Sequence, residues 1–367
     1  MPNPTVSALL TPFHGKGLEL PNRIVMAPMT RYRASEEGVP ARWVADYYAQ
    51  RSSAGLIVSE GIWPSMRGQS GWRMPGLATD AQVHGWRAVT DAVHAAGGRI
   101  FAQLMHGGRA AHPLARIDGG QPLAPSAVPL PYVHHTRVGT SDPVVPRAMT
   151  YEDIRTAIED HVNAARRAID AGFDGVELHG ANSYLIHQFL ADNTNLRTDA
   201  YGGDVPGRIR FATEVVRAVM AAVGAGRTAL RLSPGNEQFD MVEADPGPVY
   251  RALLDAIAPW GLAYLHLTEG SAAYPALADL RPHWPGALVA NVGENGHPTT
   301  PAAGEAVLRA GTADLVSYGR AFIANPDLPR RIAAGAPLAS ADPTTFYTHG
   351  PQGYTDYPAL ATCEAMA

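Results

Sequence analysis

The sequence predicts a single (β/α)8 TIM barrel over residues 1–367. Two observations carry that reading. Eight short, β-rich apolar runs recur along the chain, each followed by a stretch with helical periodicity. Such β/α alternation specifies a parallel sheet wrapped by helices. Most runs are apolar throughout, as strands buried on both faces must be. A doubly wound sheet competes, but eight regular units and the lack of a GxGxxG fingerprint weaken it.

In chain order, the strands are expected at 23–29 (RIVMAPM), 55–60 (GLIVSE), 99–105 (RIFAQLM) and 173–178 (FDGVEL). The rest follow at 228–233 (TALRLS), 262–268 (LAYLHLT), 287–292 (ALVANV) and 314–318 (DLVSY). Helices are expected at 41–52, 80–96, 151–170, 207–222, 247–258, 275–283, 300–310 and 326–334. The third helix has the clearest signal. Thr150 and Asp153 form a capping-box start, Ile154, Ile158, Val162, Ala165 and Ile169 trace one face, and Gly172 follows the end. Thr299 or Thr300 followed by Pro301 marks the start of the seventh. A Pro- and Gly-rich insertion, 107–149, separates the third strand from its helix, where a barrel carries lids and binding loops. Within it, His134-His135 reads as a solvated loop pair. The tail, 336–367, has no barrel unit left to build. Its YTHGPQGYTDYP stretch, which carries three tyrosines, is expected to pack on the barrel.

Composition removes several function classes. Apolar residues make up 46% of the chain, ample for a large core, and charged residues only 17%. The net charge of −5 argues against a nucleic-acid partner. A single cysteine, Cys363, cannot form an internal disulfide, a zinc cage or an Fe–S cluster. A single lysine, Lys16, lies in a Gly-rich segment, so lysine-imine chemistry is not expected, and no GK[ST] motif marks a P-loop. No apolar run is long enough for a membrane span. The first residues lack a secretory pattern, so the cytoplasm is the expected location.

Barrel sites form at the C-terminal ends of the strands. Those ends carry Pro28, Met29 and Thr30, then Glu60 and Gly61, then Gln103, Met105 and His106. The fourth runs through Glu177, His179, Asn182 and Tyr184, and the fifth carries Arg231. The seventh ends at Gly293 and the eighth at Gly319-Arg320. An amide, an imidazole, a phenol and a guanidinium thus converge on one end. Glycines after the last two strands suit a phosphate, with Arg320 supplying charge; tight turns alone would explain them equally well. No metal site is expected, because several strand ends lack ligands. Glycoside hydrolysis, with Glu177 as acid and Glu60, Glu269 or Glu294 as partner, stays open.

The segments NRIVMAPMTRYRA, FAQLMHGGR, FDGVELHGANSYLIHQFLADNTNLRTDAYGG, LRLSP, SYGRAFIANPDL and GYTDYP occur in that order. Together they resemble the old yellow enzymes, FMN-dependent ene-reductases on a (β/α)8 barrel. The resemblance runs from about residue 8 to 358. It implies bound FMN, NAD(P)H as reductant and a small activated alkene as substrate.

It also implies residue roles. Thr30 matches the threonine on the flavin carbonyl near N5. Gln103 matches the glutamine on the pyrimidine edge, and Arg231 the arginine beside N1, where negative charge gathers on reduction. Pro28, Met29 and Gly61 match backbone positions lining the ring, and Gly293, Gly319 and Arg320 the phosphate segment. His179 and Asn182 match the pair holding the substrate oxygen, and Tyr184 the proton donor. Phe346 and Tyr347 resemble an aromatic pair walling the pocket. Met105 stands where several members carry Trp, which implies a roomier pocket. Thr30 stands where another branch carries Cys. The expected assembly is a monomer or homodimer. A flavin-binding redox sensor without turnover is the remaining alternative.

Overall fold

A computed structural model describes residues 7–15, 17–269, 273–293 and 297–361. Lys16, Glu294 and Cys363 lie outside them. Eight parallel strands close into a barrel: β1 Ile24–Met26, β2 Leu56–Ile62, β3 Ile100–Leu104, β4 Gly175–Gly180, β5 Thr228–Leu232, β6 Leu265–Thr268, β7 Leu288–Asn291 and β8 Leu315–Tyr318. All eight expected strands are present, with ends shifted by a few residues.

The strand runs hide an alternation that continuous apolarity masks. Val176 and Leu178, like Leu265 and Leu267, pack outward among the helices. The residues between them, Glu177 and His266, therefore point into the barrel. Deeper in the interior, Val25, Leu56, Val58, Phe101, Val289 and Leu315 form an apolar plug. The hairpin Phe13–Gly15 with Leu18–Leu20 closes it from below through Phe13, Leu18 and Leu20. The barrel interior is thus apolar at one end and polar at the other, which places the chemistry.

Eight outer helices follow: α1 Arg42–Ala49, α2 Asp80–Ala95, α3 Tyr151–Asp170, α4 Val205–Val223, α5 Pro246–Ile257, α6 Ala276–Leu280, α7 Pro301–Arg309 and α8 Leu328–Ala334. In α3 both arms of the capping box form between Thr150 and Asp153. The Arg147 guanidinium donates to both Asp153 oxygens at 2.8 Å, holding that carboxyl far below its ordinary range. The buried face of α3 keeps Ile154 and Ala165 of the expected one but is otherwise shifted. It centres on Ala157, His161, Ala164 and Ala168, with Ile158, Val162 and Ile169 at its edges. Small side chains let the helix lie close to the sheet. Helix α6 stops at Leu280 and a 3-10 turn, Arg281–His283, replaces the rest of the expected 275–283 helix. Pro282 cannot continue an α-helical ladder.

The 107–149 segment is more ordered than a loop reading implies. Leu123–Ala124 pairs with Arg147–Ala148 at its base, and His134–Thr136 with Gly139–Ser141 forms a hairpin. His134 is not a solvated partner of His135: it is buried with its ring 5.2 Å from that of His112. The tail packs on α1 as expected. Tyr354 is buried and stacked on Tyr47 at 3.8 Å.

Candidate active site

Strand register brings the candidate residues together. Gln103 on β3 lies opposite Glu177 on β4, and His179 on β4 lies opposite Arg231 on β5. Gln103 Nε2 donates to Glu177 Oε1 at 2.8 Å and sits 3.3 Å from His179 Nδ1. The β2–β3 register shifts between Val58 and Gly61, so Gly61 faces Gln103. Ser59 Oγ fills the gap by accepting from Gln103 N at 3.1 Å. A Cβ on Gly61 would come within 2.6 Å of the Met105 thioether, so a side chain there would force Met105 to shift.

Electrostatics follow from burial. His179 is driven well below its ordinary range by burial and by the Arg231 charge, so its imidazole is neutral at pH 7. Burial also lowers Arg231, while Glu177 pulls it back up. Glu177 is raised by burial, but His266 and Arg231 outweigh that and its net shift is downward. The Tyr184 phenol is raised by burial and further by Tyr32 and Tyr347, so it stays protonated. Its ring centre is 5.0 Å from that of His179.

Past β4 the chain turns sharply. Asn182 and Ser183 adopt left-handed φ of 52° and 64°, an uncommon state for two consecutive non-glycine residues. Three hydrogen bonds hold it: Asn182 N to Ser233 Oγ, Ser183 N to His187 Nδ1, and Gln188 Nε2 to the Ser183 carbonyl. The turn leaves Tyr184 at the head of a short helix, Leu185–Leu190. Asn236 Nδ2 donates to Asn182 Oδ1 at 3.4 Å, which leaves the Asn182 amide hydrogens for a ligand. The sequence reading missed Asn236. Its signal was its place in the loop directly after β5.

The remaining candidates divide. Pro28, Met29 and Thr30 follow β1, half-buried, and Gly293 and Gly319 follow β7 and β8. Gly319 caps a short helix, Arg320–Ala324, and Arg320 is exposed. Met105 is almost wholly buried with Trp63 and Met74, and Tyr32 and Tyr184 pack against that cluster. Phe346 is half-buried, and the exposed Tyr347 meets the Tyr32 ring edge-on at 5.6 Å. Two missed residues hold that wall. The Arg31 guanidinium donates to the carbonyls of Phe346 and Gly353. Arg33 donates to those of Thr345, Phe346, Gly350 and Gln352.

The carboxylates do not form a hydrolase pair. Glu177 is fully buried and bonded to Gln103 and His266, and its downward shift is the reverse of what a general acid needs. Glu60 Oε2 accepts from Arg31 N and is buried. Glu269 Oε2 accepts from Leu277 N at α6. Among the described residues no group of three or more His, Cys, Asp or Glu could hold a metal, and no helix is long and apolar enough to cross a membrane.

The site has spare hydrogen-bonding capacity of the kind a flavin would take up. Arg231 gives one hydrogen bond, from Nη2 to Thr268 Oγ1 at 3.2 Å, and its buried Nε has no partner. A buried guanidinium with unspent donors calls for an acceptor from outside the chain. Gln103 Oε1 is likewise unspent.

Residues 8–339 match the model of the NADH:flavin oxidoreductase / NADH oxidase family. A chanoclavine-I aldehyde reductase of Penicillium roqueforti is 44% identical, with 96% of each chain covered. A probable flavin mononucleotide-dependent alkene reductase of Leishmania infantum is 41% identical over 96% of this chain and 98% of its own. The solved old yellow enzyme homologue of Zymomonas mobilis superposes with a TM-score of 0.92 at 42% identity, covering 96% of this chain and all of the other.

Proposed function

The chain belongs to the NADH:flavin oxidoreductase / NADH oxidase family, the old yellow enzymes, and from that premise we propose that it reduces the C=C bond of α,β-unsaturated carbonyl or nitro compounds. It is an FMN-dependent flavin oxidoreductase that uses NAD(P)H. Membership in a family of reductases removes the sensor alternative, as the carboxylate geometry removes the hydrolase. We take residues 1–367 as one FMN-binding barrel domain.

FMN, when bound, would supply the hydride-transfer chemistry between nicotinamide and alkene. The chain's residues do the rest. Arg231 places a buried positive charge where the reduced ring carries negative charge. Gln103 offers its free carbonyl to a ring N–H, and Thr30 a hydroxyl. Pro28, Met29 and Gly61 line the ring. Gly293, Gly319 and Arg320 receive the phosphate. His179 and Asn182 donate to the carbonyl or nitro oxygen and so stabilise charge developing on it. Tyr184 holds a proton on its phenol oxygen and delivers it to the α-carbon. Met105, Phe346 and Tyr347 bound the substrate space.

The observation that carries this reading is the protonated Tyr184 ring set 5.0 Å from a neutral His179. Its test is anaerobic reduction by NADH and NADPH, followed by cyclohexenone, a nitroalkene and a maleimide. Reoxidation by at least one of them is expected; failure of all three overturns the proposal. Tyr184→Phe should slow the alkene step by about 100-fold or more and leave reduction by nicotinamide unchanged.

A further inference from the structure

Beneath the site, side chains on five strands form one hydrogen-bonded chain, most of which the reaction above does not use. Asn291 Nδ2 on β7 donates to Ser317 Oγ on β8 at 3.0 Å. Ser317 Oγ and His266 Nε2 are 2.9 Å apart, as are His266 Nδ1 and Glu177 Oε2. Glu177 Oε1 takes Gln103 Nε2, which also reaches His179 Nδ1. Glu177, His266 and Ser317 have no exposed surface.

Chemistry orients every proton in this chain. An ionised carboxylate only accepts hydrogen bonds, whereas a neutral imidazole has one donor and one acceptor nitrogen. His266 must therefore carry its proton on Nδ1 and accept at Nε2. The Ser317 hydroxyl then points at His266, and Asn291 donates to Ser317. On the other side the carboxylate must face the NH2 of Gln103 rather than its carbonyl. The second hydrogen of that NH2 is left for His179 Nδ1.

We infer that Glu177 is a positioning residue that sets the tautomer of His179. By orienting the Gln103 amide, it makes His179 Nδ1 an acceptor and puts the ring proton on Nε2. That nitrogen has no partner among the described residues, so its proton is available to a substrate oxygen. The inference rests on the proposed role of His179 as an oxygen donor. Electrostatics support it: neighbouring groups carry Glu177 downward against its burial, and burial lowers His266 and His179, so the carboxylate is charged and both rings are neutral.

Glu177→Gln keeps the shape and removes the acceptor-only rule. The new amide offers one carbonyl to two donors, so the Gln103 amide is free to turn and present Oε1 to His179. The proton of His179 then moves to Nδ1. The test is the 15N spectrum of histidine-labelled holoenzyme together with the affinity for phenol, an oxygen ligand of the same donors. Wild type should show His179 protonated on Nε2. Glu177→Gln should show a population protonated on Nδ1 and bind phenol at least tenfold more weakly. An Nδ1-protonated His179 in the wild type overturns the inference, whatever the variant does. So does a variant with an unchanged tautomer and unchanged phenol affinity. If the wild type reduces no alkene, the functional reading fails, while the spectrum still reports on Glu177.

Discussion

The floor and the wall of this site are built from opposite materials. The floor sets side chain against side chain: Gln103, Glu177 and His266 stand on β-strands and bond one another. The wall sets side chain against backbone. Arg31 and Arg33 reach the tail through the carbonyls of residues 345–353, and Arg109 reaches those of Pro129, Phe239 and Asp240 in the surrounding loops. A floor of paired side chains accepts few substitutions. A wall held by its carbonyls can change its outward residues while the anchors stay. On the proposed function, reaction chemistry and substrate choice would then sit on separable parts of the fold.

The largest expected effect tests the wall. Arg33→Met removes a buried guanidinium that donates to four tail carbonyls, and leaves those of Gly350 and Gln352 without a side-chain donor. It should cost about 3–5 kcal/mol and expose residues 345–353 to protease, with the flavin spectrum retained. Bleaching of bound flavin before the tail is cleaved would show that floor and wall are not separable.

The floor is tested next. The double change His179→Ala with Asn182→Ala removes two donors to the ligand oxygen. Phenol affinity should fall by about 3 kcal/mol, roughly a hundredfold, with FMN still bound. Retained phenol affinity would take both residues out of the site.

Glu60 lies between the two regions. Burial raises its carboxyl to about 7, against the pull of Arg31 and Arg33. A folded value above the unfolded one means the folded state holds the proton more tightly. Its contribution to stability is full below about 4.5 and is lost as pH rises through about 7. Melting curves should therefore show wild type losing stability over that window, and Glu60→Gln should flatten this part of the profile. An unchanged profile would mean that Glu60 is charged throughout.

The smallest effect concerns Met105. A tryptophan there must share space with Trp63 and Met74 and lie against Gly61. Overpacking should cost about 1–3 kcal/mol and narrow the substrate range toward small enones. An unaltered range would place Met105 behind the wall.

Much of this was legible in the chain. The strands, the helix starts at Thr150 and Thr300, and the motifs around His179, Asn182 and Tyr184 all stand in short windows. The end of α6 stands outside such a window: the periodic run continues past Leu280, while Pro282 ends the α-helical ladder. His134 reads as solvated in the chain because its burial against His112 depends on how the insertion folds back. The roles of Arg31 and Arg33 are not legible locally, because their partners in the tail lie more than 300 residues away.

By itself, then, the sequence determined the barrel, the order of its parts and which side chains reach its C-terminal end, since strand periodicity and helix caps are local properties of the chain. Tertiary structure alone decided what those side chains do to one another. Glu177 meets Gln103 across 74 residues and His266 across 89, and no periodicity records such a meeting. The direction of each proton in the floor follows from those contacts, because a buried carboxylate can only accept.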